Sequence, residues 1–402
     1  MPADTTTGPL ADLRVIEMGQ LLAGPFCGQL LGDFGAEVIK LEAPGVGDPM
    51  RQWGREQSQG KSLWWPVVAR NKKSVTCDLR NPEGQRLARE LIADADIVIE
   101  NFRPGTMERW GLGYERLREI NPGLIMVRVT GYGQTGPYAP RAGYGSIGEA
   151  MGGIRYTTGD PENAPARTGI SIGDSLAAVF ATIGTLAAVH HRERTGQGQL
   201  VDSAIYEAVL AMMESLLPEY AITGYQRERT GSVLPNVAPS NVYPTAGGEM
   251  VLIAANQDSV FTRLTELMGR PELAVDERYC NHTARGARMA ELDELIATWT
   301  ATADAEELLE KLHTAGVPAG RIYTARDMFT DPHFAAREAI VRITHPELGE
   351  LPMQNVVPKL SATPGSVRHA GPELGEHNAE VYGELLGLDA DQIAKLAQTG
   401  VI

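Results

Sequence analysis

The chain has 402 residues, of which 43% are hydrophobic and 22% charged, the balance of a folded protein long enough for two domains. Its formal net charge of -15 argues against nucleic acid as the main partner, because binding phosphate at scale needs a basic surface. A small anionic ligand stays open, since a local cluster of Arg and Lys can outweigh the global charge. Three cysteines, Cys27, Cys77 and Cys280, without CxxC or zinc-like Cys/His spacing, point to a reducing cytoplasm and to no metal site. Residues 1–9 lack the layout of a signal peptide, and no apolar run approaches the ~20 residues of a membrane span, so no membrane association is expected.

In chain order, residues 13–18 read as a strand ending at Gly19, and 26–34 as a helix stopped by Gly35. Residues 38–41 are a second strand, 82–94 a helix with Pro82 and Glu83 in its first turn, and 96–100 and 124–130 further strands. Strands separated by helices imply parallel pairing with crossovers on the faces of one sheet. Residues 174–192 are apolar and rich in small residues, the pattern of a helix buried on most of its circumference. A short strand (199–201) and a long helix (203–220) follow. Residues 225–244 lose periodicity and read as a linker or active-site loop. A strand (250–254) and three helices (260–268, 287–300, 305–314) then suggest a smaller second domain. The tail returns to strands at 340–344 and 351–356 and ends in two short helices. The expected division is a large domain from residues 1–220 and 336–402, and a smaller one from 221–335.

Gly131-Tyr132-Gly133-Gln134-Thr135-Gly136 matches GxGxxG directly after a strand, but Pro137, Pro140 and Gly143 follow where a dinucleotide-binding helix would have to start. The segment reads instead as a glycine-rich loop beside a ligand. Asn71-Lys72-Lys73-Ser74, Arg80, Arg103 and Arg109 form a basic cluster on an acidic background, whose plain reading is solvated surface charge. Asn101-Phe102-Arg103-Pro104-Gly105 follows a strand's carboxyl end, where ligands of open α/β sheets collect, and an exposed aromatic among polar and basic residues suits a nucleotide-like ligand. Gly173-Asp174 stands at or beside the start of the apolar helix. That aspartate reads either as an N-cap or as a carboxylate held ionised by the helix terminus and able to attack an acyl carbon.

Together these residues resemble the family III CoA-transferases, the group that includes formyl-CoA and carnitine CoA-transferases and α-methylacyl-CoA racemase. The resemblance runs nearly end to end. It is carried by Leu22-Ala23-Gly24-Pro25, by the run from Gly32-Asp33-Phe34-Gly35 through Ile39-Lys40-Leu41-Glu42, by Asn71-Lys72-Lys73-Ser74, by Glu100 to Gly105, by Gly131-Tyr132-Gly133 and by Gly173-Asp174. Gly316-Val317-Pro318, Asp331-Pro332 and Leu374-Gly375-Glu376-His377 follow as C-terminal markers.

What the resemblance implies is an α/β fold: an open, mostly parallel Rossmann-like sheet in a large domain built from N- and C-terminal segments, a smaller α+β domain, and an interlocked homodimer. It implies a CoA site lined by Leu22, Ala23, Cys77, Arg80, Asn101, Phe102, Arg103, Arg109, Ala142 and Tyr144. Asp174 is then the nucleophile that passes CoA from an acyl-CoA thioester to a carboxylic acid, with no permanently bound cofactor. Similarity to the succinyl-CoA:dicarboxylate type makes succinyl-CoA the expected donor, with Arg141 or a basic residue at 225–229 to meet a second carboxylate. The loop 233–243, or Ala255-Asn256-Gln257, is the expected shield. This sequence departs from the family at Ala43, where some members place an arginine, so that Arg80 or another basic residue would compensate, and at Gly145, where an acidic residue often stands. The rival activity is that of an α-methylacyl-CoA racemase or related acyl-CoA isomerase; the racemase histidine falls at Tyr144, and a phenol of ordinary pKa ≈ 10 suits proton abstraction poorly near neutrality.

Overall fold

The computed structural model describes residues 8–402; residues 1–7, on which part of the signal-peptide reading rests, lie outside them. The chain divides into two compact units: Met1–Arg155 with Thr168–Glu219 and His333–Ile402, and Tyr156–Arg167 with Tyr220–Pro332.

In the larger unit six strands form one sheet: β1 (Arg14–Glu17), β2 (Glu37–Glu42), β3 (Lys72–Thr76), β4 (Ile97–Glu100), β5 (Ile125–Thr130) and β6 (Leu200–Ala204). All pairings are parallel and the order is β3-β2-β1-β4-β5-β6. That order belongs to doubly wound sheets, whose strand sequence reverses between β1 and β4 and opens a crevice at the carboxyl ends there. The connecting helices include α1 (Ala23–Asp33), α2 (Pro82–Ala93), α3 (Gly145–Met151) and α4 (Ile172–Thr195).

The strands read as apolar runs because both faces are covered. Val15, Val38, Ile97, Ile99 and Val127 pack with Cys27 and Leu31 of α1 and Ala177, Ala178 and Ala181 of α4. Ile16, Ile39, Val75, Val98 and Met126 pack with Leu87 and Leu91 of α2 and with Val381 and Tyr382 of the tail. Small residues let α1 and α4 approach until Thr182 Oγ1 lies 3.4 Å from Cys27 Sγ.

Four sequence expectations change. The run Asn71 to Ser74 is mostly strand β3, and Lys72 and Ser74 point into the protein rather than forming a basic surface. The long helix expected over 203–220 breaks into Ile205–Leu210 and Leu216–Thr223, because Ser203 and Ala204 complete β6 and Glu214 takes a left-handed φ of 52°. The tail strands, Ile340–His345 and Gly349–Gln354, pair with each other and leave the six-stranded sheet as it is. Finally, α4 is long and apolar enough to cross a membrane, contrary to the reading of its composition, and it is not buried on most of its circumference as expected: its small residues pack beneath the sheet while Val179, Phe180, Ile183 and Leu186 are exposed.

The tail is tied to the sheet by polar contacts. Arg70 donates to both oxygens of Asp33 and to Gln354 O, and Asn71 Nδ2 donates to Asp33 and to Ser366 O. His377 N donates to Ser74 O, and Ser74 N returns a bond to His377 Nδ1 at 3.2 Å. Several motif residues that carry the family resemblance therefore act as scaffold.

The smaller unit has a three-stranded antiparallel sheet with Met250–Ala254 between Ser240–Pro244 and Ala319–Arg321. Helices Asp258–Leu267, Met289–Thr300 and Ala305–Thr314 cover it, closing a core around Tyr243, Phe261, Leu292 and Leu312. Arg285 is buried there and donates to Ala238 O, Tyr279 O, Asn256 O and Asp258 Oδ1, so the 255–257 turn is held by a buried guanidinium.

Candidate active site

Parallel strands deliver every β-to-α loop to one edge of the sheet. Leu22 and Ala23 open α1 after β1; Cys77 and Arg80 follow β3; Asn101, Phe102 and Arg103 follow β4; Ala142 and Tyr144 lie in the connection after β5. Helix α4 leads into the start of β6, so its C-terminus faces the opposite edge and its N-terminus, with Asp174, faces this one.

Ser171 is the N-cap of α4 and Asp174 is its third residue, so the N-cap reading of Asp174 is incorrect. The carboxylate lies in the first turn, where unpaired N–H groups and the helix dipole favour negative charge. It is half-buried and rests on the backbone of α3: a Cβ built on Gly145 would lie 2.2 Å from Asp174 Oδ2. Helix α3 comes this close because Gly148 and Gly152 let it settle on Ile205 and Val209, where a Cβ would meet them at 2.4 and 2.6 Å. Glu149 of α3 is buried, bonded at 2.6 Å to Arg155, and accepts weakly from Gly173 N at 3.4 Å.

The crevice between β1 and β4 is closed at its base by Asn101. Its Oδ1 accepts from Gln20 N and its Nδ2 donates to Gln20 O, each at 2.8 Å. The Asn101 amide is thus spent on holding the preceding loop. Phe102, expected to be exposed, is half-buried and stacks edge-on against Trp110 with centroids 5.1 Å apart. Cys77 is buried, its thiol directed at Gly84 O and pushed up to about 12 by burial, so its side chain is core. Arg80, Arg103 and Arg109 are exposed, with Arg109 donating to Thr106 Oγ1. Ala142 and Tyr144 are exposed too.

The glycine-rich loop after β5 is pinched at its base, where Gly131 and Gly143 leave no room for a Cβ between them. Tyr138 stacks edge-on with Tyr132 and carries the Arg141 guanidinium 3.7 Å from its ring centroid. A cavity of about 1150 Å³ lies at the other edge, bounded by Arg14, Glu37, Lys73, His369 and His377, and includes none of the expected site residues. Sequence reasoning missed α3 and Glu149 and met Gly145 only as a departure from the family; the Gly145, Gly148, Gly152 spacing was the available signal.

An open sheet with a ligand crevice at its switch point and a carboxylate in the first turn of a helix packed on that sheet fits acyl chemistry on a nucleotide-bearing substrate. The model of "CoA-transferase family III" matches residues 10–378. The chain is 62% identical to the succinyl-CoA–D-citramalate CoA-transferase of Chloroflexus aurantiacus, over 98% of each chain. It is 45% identical, over the full length of both, to the beta subunit of the succinyl-CoA–L-malate CoA-transferase of the same organism. A CaiB/BaiF family protein from Brucella suis superposes with a TM-score of 0.83 at 37% identity, covering 94% of this chain and 100% of that one. The chain belongs to the family III CoA-transferases, and it is an enzyme that moves CoA from an acyl-CoA to a carboxylic acid.

Proposed function

We propose that the protein transfers CoA from succinyl-CoA to a dicarboxylate of the malate or citramalate kind, with Asp174 as the nucleophile. The observation that carries the substrate class is the 62% identity to the D-citramalate enzyme over 98% of both chains. The position of Asp174 in the first turn of α4, on the ligand edge of the sheet, supports its role.

The reaction needs four acyl transfers and no net proton. An Asp174 carboxylate oxygen attacks the thioester carbonyl, the C–S bond breaks, and CoA thiolate leaves a mixed anhydride. The thiolate attacks Asp174 Cγ and expels free succinate, giving an aspartyl-CoA thioester. The acceptor carboxylate attacks the same carbon and expels the thiolate. The thiolate then attacks the acceptor's acyl carbon, yielding the new acyl-CoA and the original carboxylate. Every nucleophile, carboxylate or CoA thiolate, is already an anion, so no general base is required. A helix terminus that holds negative charge supports each of these steps. Leu22, Ala23, Arg80, Asn101 to Arg103, Arg109, Ala142 and Tyr144 supply the CoA site, the exposed arginines facing its phosphates.

Two chains pair in this reading. Val179, Phe180, Ile183 and Leu186 of α4 are exposed at helical spacing, an apolar stripe that association would cover. A cytoplasmic setting fits the three unpaired thiols.

Incubation with succinyl-CoA followed by hydroxylamine should leave a hydroxamate on Asp174. Asp174→Ala should abolish turnover while CoA binding stays within about twofold, as expected for a group used in the chemistry alone. An unmodified Asp174, or an active Asp174→Ala variant, would overturn the assignment.

A further inference from the structure

The loop from Gly19 to Pro25 is gripped at four successive points. Lys40 Nζ donates to Gly19 O at 2.7 Å and Lys72 Nζ to Pro25 O at 2.6 Å. Asn101 exchanges two bonds with Gln20. Both oxygens of Asp48 accept from Leu21 N, at 3.0 and 3.2 Å, and Leu21 has a left-handed φ of 63°. A leucine in that region is strained and persists only where its surroundings fix it.

Three of these grips belong to one buried ionic cluster. Lys40 pairs with Glu17 at 2.7 Å and Asp48 at 2.9 Å, and Lys72 pairs with the other oxygen of Glu17 at 2.7 Å. None of the four side chains is more than 2% exposed, and two cations balance two carboxylates. Burial alone would lower the Lys40 pKa, but Asp48 and Glu17 outweigh it and hold the ammonium above its ordinary range. The cluster has a space made for it: a Cβ on Gly28 of α1 would lie 2.0 Å from Glu17 Oε2.

Burying four ions is a poor route to stability, since each gives up its hydration and apolar replacements often fold as well or better. What apolar residues could not supply is the set of directed bonds to Gly19, Leu21 and Pro25.

We propose that Glu17, Lys40, Asp48 and Lys72 are positioning residues that fix the β1–α1 loop in its CoA-binding shape. Their loss then costs affinity for the CoA thioester and not the acyl exchange at Asp174. The inference rests on the assignment of Leu22 and Ala23 to the CoA site.

The test uses the full-length enzyme, with binding of CoA measured by calorimetry and steady-state constants measured for both substrates. Asp48→Asn and the apolar triple variant Glu17→Leu, Lys40→Met, Lys72→Met are compared with the parent. Losing a preorganised loop should weaken CoA binding and raise the acyl-CoA KM about tenfold, with kcat and the acceptor KM within about twofold. A folded variant that binds CoA like the parent overturns the proposal. Leu22→Asp leaves the cluster intact: if it also binds CoA normally, the CoA site lies elsewhere and the underlying assignment fails instead. If the cluster variants do not fold, Gly28→Ala decides, because its Cβ would press on Glu17 Oε2, 2.0 Å away, and it removes no side chain of the CoA site. An unchanged CoA affinity there overturns the proposal, and a loss of about threefold or more supports it.

Discussion

Gly145 and Asp174 are in direct contact: a Cβ added to Gly145 would stand 2.2 Å from Asp174 Oδ2 and 2.7 Å from its Cγ. The glycine at this position is required by the carboxylate beside it, and in this arrangement an acidic side chain at 145 would compete for the same space. Alanine fits the helical backbone of α3 well, so Gly145→Ala should fold. It should also displace the carboxylate by about an ångström, a shift that costs on the order of 100-fold in rate when a nucleophile is involved. Steady-state assays should show a large fall in kcat with an acyl-CoA KM near the parent value. Full activity in Gly145→Ala would show that turnover does not depend on the carboxylate's present seat against α3.

Glu100 gives the enzyme a pH-dependent stability. Arg128 lies between two carboxylates, 2.5 Å from Glu100 Oε1 and 2.7 Å from Glu108 Oε1. Glu108 is partly in water; burial raises its pKa somewhat, but Arg128 outweighs this and brings it below the usual range. Glu100 is buried, and burial pushes its carboxyl up to about 7 even beside Arg128. Between the unfolded value near 4.5 and about 7, the folded state therefore binds the extra proton. The contribution is fully present below the unfolded value and is lost as pH rises through about 7. It amounts to roughly 3 kcal/mol at most. Denaturant titrations from pH 4.5 to 8 should show this decline in the parent and a flatter profile in Glu100→Gln. Parallel profiles would mean that Glu100 is ionised throughout.

The sheet was largely readable because strands buried on both faces leave apolar runs at 13–18, 38–41, 96–100 and 124–130. Strand β3 escaped for the opposite reason: it buries Lys72 and Ser74, whose partners Glu17 and Glu42 lie on other strands far away in sequence. Helix α3 escaped because Gly145, Gly148 and Gly152 lower its helix propensity, and tertiary packing on Ile205 and Val209 decides the matter. At the site, the edge carrying Asp174 follows from strand order alone. The spending of Asn101 on Gln20, and of Cys77 on the core, depends on contacts that no local pattern records.

The exposed stripe on α4 gives the pairing of chains a direct test. Ile183 is 57% exposed, and its neighbours on the stripe, Val179, Phe180 and Leu186, are between 37% and 41% exposed. A charge at the centre of a buried apolar interface costs several kcal/mol, whereas the same charge on a solvated face costs almost nothing. Ile183→Glu should therefore lower the melting temperature of the paired chains and shift refolded protein from dimer toward monomer, as read by light scattering at micromolar concentration. If Ile183→Glu and the parent have the same mass in solution, the stripe faces water, and any pairing of chains must use another surface.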